Sequence, residues 1–160
     1  MEGIQIRPLN KKDRGWLKQF MVDAWGAEKV VSRGIVHEAW LLPGFTASIG
    51  GDLAGIVTYN IQDDQCEIVT LDSMIENSGA ARANIQAVID AARSEGCKRL
   101  WLITTNDNIH AIRYYQKRGF TIAAIHCNAI EHSRKLKPQI PHIGMEGIPI
   151  RDEIEFEMML

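Results

Sequence analysis

Only three cysteines occur, Cys66, Cys97 and Cys127, and no CxxC pair is among them. An odd count without paired spacing excludes a disulfide framework and a thiolate zinc knuckle. The three cysteines are therefore expected as small buried apolar residues. Long apolar runs are also missing. None reaches the ~20 residues a membrane helix needs. The opening MEGIQIRPLN has no apolar core of the kind a secretory signal carries. Neither charge sign dominates, since the net charge is −2, which argues against nucleic acid and anionic membranes as partners. The one basic cluster, Arg134-Lys135-Leu136-Lys137, reads as a solvated loop. No GxGxxG and no P-loop is found, which counts against a nucleotide-binding α/β domain. His126 and His132 lack metal-ligand spacing, so no metal site is expected. With repeats and linkers absent too, residues 1–160 read as a single domain, expected in the cytoplasm.

The pattern of elements is more informative. Gln5 to Arg7 reads as a first strand, stopped by Pro8. Asn10 and Asp13 form a capping pair for a helix, in which Trp16, Leu17, Phe20, Met21, Ala24 and Trp25 share one face. Val30 to Leu42 is ambiguous between helix and strand. Phe45–Ile49 and Leu53–Ile61 form a hairpin about Gly50-Gly51-Asp52, and Cys66–Leu71 is a third strand. Ala81, Ile85, Val88, Ile89 and Ala92 then make a continuous helical stripe, with Gly96 as a left-handed stop. Leu100–Thr104 reads as a strand covered on both faces. A short helix capped by Asn108 ends at Gly119, and Phe120–Ile130 and Glu153–Leu160 are the last strands. The class is α+β, with a mixed, mainly antiparallel twisted sheet and helices on both faces.

Chemistry concentrates between Glu67 and Phe120. The turn Glu76-Asn77-Ser78-Gly79-Ala80-Ala81 precedes the strongest helix. Free amides and the positive end of the dipole there suit a phosphate, and Gly79, Ala80 and Ala81 leave the backbone open. The next strand leads into Asn108-Ile109-His110-Ala111-Ile112-Arg113-Tyr114-Tyr115-Gln116-Lys117-Arg118-Gly119-Phe120. This stretch resembles the final motif of the GNAT acetyltransferases: Asn, two residues, Ala, an aromatic-Tyr pair, three residues, Gly-Phe. The element order resembles theirs over nearly the whole chain. The ending Gly147 to Glu155 is similar to a bacterial subgroup without an assigned substrate.

The resemblance implies an N-acetyltransferase that moves an acetyl group from acetyl-CoA to an amine by direct attack. The third and fourth long strands would splay around the donor. Its pyrophosphate would lie on Ser78, Gly79, Ala80, Ala81 and Arg82, and its pantetheine arm along Leu71, Ser73 and Met74. Asn108 would contact it, and Tyr115 would protonate the departing thiolate. Tyr114 is expected to point elsewhere. Asp72 and Glu67 are the two candidates for the base that an ammonium acceptor requires, Glu67 through a water. Glu76 stands where the family has Arg or Gln, a repulsion of about 1 kcal/mol or more against a pyrophosphate. That departure supports an alternative, a GNAT-fold binding or regulatory protein with weakened or lost catalysis. The acceptor would be a small-molecule amine or a protein amino group, in a pocket formed by Val30–Pro43 and the tail after Ile130. Trp25, Trp40 and His37 lie there or beside it. His37 reads as a half-exposed loop histidine, and the tryptophans as core. A homodimer is left open.

Overall fold

The computed structural model describes residues 3–160. β1 (Ile4–Pro8) leads to Asn10, whose side chain accepts from Lys12 N while its own N–H donates to Asp13. The capping pair thus forms on a short 3₁₀ turn that runs into α1 (Arg14–Trp25). The forked guanidinium of Arg7 grips both Asp13 oxygens at 2.8 Å and holds that carboxyl well below the usual carboxylate range. Leu17 and Met21 are the buried residues of α1. Trp16 is exposed and turns its indole N–H to Asp13, so it leaves the face expected of it.

The ambiguous stretch resolves into a separate hairpin, β2 (Lys29–Ser32) and β3 (Ile35–Glu38). β4 (Gly44–Ile49) follows. A Cβ on Gly44 would lie 2.0 Å from the Val57 carbonyl oxygen, so close strand approach requires glycine here. β5 (Asp52–Gln62), β6 (Gln65–Ser73), α2 (Ala80–Ser94), β7 (Arg99–Thr105), α3 (Ile109–Lys117) and β8 (Thr121–His126) come next. α4 (Ala129–Leu136) and β9 (Glu153–Met159) complete the chain.

β8 ends earlier than the strand expected through Ile130. Asn128 turns the chain in a left-handed conformation (φ 61°), its N–H bonded to Asp152 Oδ1 at 2.8 Å, and α4 buries Ile130 and Ser133. The basic cluster is not a free loop. Arg134 donates to the carbonyls of Ile140, Pro141 and Ile150, and Lys137 to that of Trp25. Cys66 and Cys97 are buried, but Cys127 at this corner is exposed.

Seven strands form one sheet in the order β1-β4-β5-β6-β7-β9-β8, and only β6 and β7 run parallel. α2 packs Ile85, Val88, Ile89 and Ala92 against Val57, Cys66, Ile68, Leu100, Leu102 and Phe156 on one face. α1 packs Leu17 and Met21 against Ile56 and Val69 on the other. Covering both faces removes the apolar surface of the sheet from water, the main stabilising term for such a layer. No helix among the described residues is long and apolar enough to cross a membrane.

Candidate active site

β6 and β7 are paired only from Gln65↔Arg99 to Ile68↔Leu102. Beyond that point β6 stays bonded to β5 and β7 to β9, so Val69–Ser73 has one strand edge without a partner. A bulge starts at the same level: Thr58 opposes Thr70 and Tyr59 opposes Ile68, which leaves Val69 unmatched. The two strands expected to splay therefore do so. Backbone direction alternates along a strand. Met74 N donates to Ala54 O at 2.8 Å, so the amides of Leu71 and Ser73 face the open side. Of the three residues expected along the pantetheine arm, Leu71 and Ser73 turn their amides to the open side, while the Met74 N–H is engaged by Ala54.

The gap opens toward α2. Gly79 precedes that helix at φ +84°, a conformation that side chains with a Cβ rarely adopt, and a Cβ there would also meet Ile4 Cδ1 at 3.3 Å. No side chain caps the helix from Gly79. Ser78 Oγ donates to Ile75 O and accepts weakly from Ala80 N. The amides of Ala81 and Arg82 have no protein acceptor among the described residues, which suits an anion. Beside them runs a cleft of about 340 Å³ lined by Arg82, Arg93, Lys117 and Arg118. Lys117 and Arg118 escape a reading of the sequence alone. Their signal is the basic pair just before Gly119, whose significance depends on α3 lying against α2. Glu76 is exposed, so water and salt screen its repulsion, and Arg82 on the first turn of α2 opposes it.

Asn108 Oδ1 accepts from Ala111 N and so serves as the cap of α3. On that helix, Tyr115 packs edge-on against Phe120 and Tyr114, both with ring centroids at 5.6 Å, and at a tilt against Phe156. Burial pushes its phenol well above the ordinary value, and the charges of Tyr114 and Asp72 push the same way. Tyr114 instead lies under the guanidinium of Arg118, 5.1 Å from its ring centre.

The two carboxylates sit on the α1 face. Asp72 is half-buried, and its Oδ2 accepts from Trp25 Nε1 at 3.1 Å. Burial raises its pKa to about 6, against the pull of that hydrogen bond. Glu67 is buried on the paired part of β6, where Ser32 Oγ donates to it at 2.5 Å. His37 is buried beside it rather than half-exposed, with Nε2 3.5 Å from Glu67 Oε1. The β2–β3 hairpin, unreadable from sequence, supplies both neighbours. Asp72 and Tyr115 thus approach the gap from opposite faces of the sheet.

The acetyltransferase (GNAT) family model matches residues 13–120. An uncharacterized protein of Bacillus subtilis, YdhI, is 42% identical over 156 residues, covering 97% of this chain and 98% of its own. An IAA acetyltransferase from Bacillus cereus shares the fold with a TM-score of 0.77 at 21% identity, over 99% of this chain and 100% of that one. A GNAT family acetyltransferase from Elizabethkingia anophelis, solved with acetyl-CoA bound, matches with a TM-score of 0.69 at 22% identity, over 98% of both chains. The open β6 edge, the uncapped α2 amides and the cationic cleft fit the acetyl-CoA that this family uses as donor, and the chain belongs to the acetyltransferase (GNAT) family.

Proposed function

We propose that this protein transfers an acetyl group from acetyl-CoA to a primary amine. The observation that carries the reading is the parting of β6 and β7 above Ile68 and Leu102, with Asp72 on one face and Tyr115 on the other. Acetyl-CoA supplies the acyl group as a thioester. The amides of Leu71 and Ser73 hold the pantetheine arm as a further strand would. Ala81, Arg82, Lys117 and Arg118 take the phosphates.

An alkylamine with pKa about 10.4 arrives as ammonium. Asp72 accepts its proton, because a carboxylate titrating near 6 is ionised at neutral pH yet basic enough to share a proton. As the C–N bond forms and the C–S bond breaks, the Tyr115 hydroxyl donates a hydrogen bond to the departing sulfur, and the second proton shed by the new amide nitrogen ends on that sulfur, so CoA leaves as the thiol. The raised pKa of Tyr115 keeps its hydroxyl protonated. Glu67 lies below the opening and would act as base only through a water.

The experiment is thiol release from acetyl-CoA with a panel of amines. The reading requires saturable acetyl-CoA binding and amine-dependent release with at least one acceptor. Binding without release across the panel would favour a GNAT-fold binding protein, the role that Glu76 suggests.

A further inference from the structure

The cleft of about 340 Å³ between α2 and α3 is longer than an anion at the start of α2 requires. Arg82 lines its upper end and supplies one of the free α2 amides, so the cleft is continuous with the turn at Gly79. Arg93 stands 11 residues further along the same helix, roughly 16 Å down its axis. Lys117 and Arg118 line the cleft from the end of α3. The pull of a helix N-terminus on an anion fades within the first turn. A pyrophosphate on Ala81 and Arg82 therefore leaves the lower end of the cleft, and its cations, for a second anion. Among the described residues none of the four cations makes an ion pair, and no carboxylate lines the cleft, in a chain with 20 acidic residues. Asp90, the one acidic residue of α2, accepts from Gln86 Nε2 at 3.0 Å. Arginine and lysine are charged at neutral pH, so the four repel one another until an anion lies among them. Ile85 and Ile89 give the cleft an apolar floor, which suits the ring of a nucleoside beside a phosphate.

CoA carries two kinds of phosphate. One is the pyrophosphate that leads to the pantetheine arm. The other is a monoester on the 3′ position of the ribose, with a charge of about −1.5 to −2 at neutral pH. We propose that the lower cleft is a subsite for this 3′-phosphate, held by Arg93, Lys117 and Arg118, and that the protein thereby selects CoA over dephospho-CoA. A dianion among three cations gains more than a neutral hydroxyl at the same place, so the monoester and not the nucleoside carries the preference. The inference rests on the donor half of the proposed function and is independent of whether the acetyl group is transferred.

Calorimetric titration of CoA and of dephospho-CoA into the protein tests it. CoA binds at least tenfold more tightly, and the ratio shrinks as salt is added. Arg93→Ala and Lys117→Ala each cut the ratio at least threefold, and both residues are exposed, so the fold survives. Lys12→Ala, at an exposed lysine in the turn before α1, leaves the ratio unchanged. Adenosine 3′,5′-bisphosphate competes with CoA at least tenfold better than adenosine 5′-phosphate does, which reads the preference without the pantetheine arm. A smaller ratio, a ratio that neither cleft variant moves or that Lys12→Ala moves equally, or equal competition by the two nucleotides overturns the proposal. Thiol release separates the two readings. A preference for CoA in binding, without release from acetyl-CoA by any amine, supports the subsite and sinks the transferase. Release with equal KM for acetyl-CoA and acetyl-dephospho-CoA does the reverse.

Discussion

Tyr115→Phe lowers turnover about 10²-fold and leaves acetyl-CoA affinity within about twofold. The substitution deletes one oxygen and keeps the ring that packs on Phe120 and Phe156, so the fold and the donor site survive. The loss belongs at the lower end of general acid effects for a physical reason. Burial raises the phenol pKa, which makes the hydroxyl a dependable donor but a weak acid. Its contribution is therefore a hydrogen bond to the developing thiolate more than complete proton transfer. Tyr114→Phe is the matched control, and its hydroxyl lies on the side covered by Arg118. Steady-state rates with one competent amine decide the matter. Full turnover in the Tyr115→Phe variant would remove Tyr115 from the chemistry.

Asp72→Asn moves activity and stability in opposite directions. An amide cannot accept the ammonium proton, so kcat falls 10²-fold or more. The wild-type rate should rise with pH through about 6, where Asp72 ionises, and the variant should lose that limb. Stability follows from the same burial. A carboxyl whose folded pKa is raised prefers to stay neutral. Its ionisation costs nothing below the unfolded value near 3.9, and the cost grows until about pH 6 and is fully present above it. The shift corresponds to a cost of about 1–3 kcal/mol at neutral pH, after discounting for partial exposure. Asparagine removes that charge and still accepts from Trp25 Nε1, so the variant should melt at higher temperature at pH 7.5 and show no advantage at pH 4. A variant that is less stable at pH 7.5 would mean that Asp72 is a structural ion rather than a strained one. Glu67→Gln in the same assay is the counterpart. If it, and not Asp72→Asn, abolishes the acid limb, the base is Glu67 acting through water.

Such strain at a buried carboxylate is typical of a site where reactivity is maintained against stability.

Elements governed by local rules are legible in the sequence. The stripe through Ile85, Val88 and Ile89 forms α2, Asn108 caps α3, and Gly96 and Gly119 end helices at positive φ. The family motif leads to Tyr115 by spacing alone. What escapes depends on tertiary contacts. The β2–β3 hairpin is short, and its apolar positions fit either period, so its pairing and its delivery of Ser32 and His37 to Glu67 cannot be read. The switch from β8 to α4 turns on Asn128, one residue in a left-handed conformation held by distant Asp152. The role of Lys117 and Arg118 depends on the packing of α3 beside α2, which one sequence does not display. Periodicity puts Trp16 on the buried face, but its indole N–H turns to Asp13 and the ring stays exposed.

The central claim is that acetyl-CoA lies in the gap between β6 and β7 as an added strand, and amide hydrogen exchange with and without the donor measures this at single residues. The amides of Leu71 and Ser73 should exchange at least tenfold more slowly with acetyl-CoA bound, those of Ala81 and Arg82 should also slow, and Met74, already bonded to Ala54, should change little. Saturating acetyl-CoA that leaves Leu71 and Ser73 unprotected would contradict it.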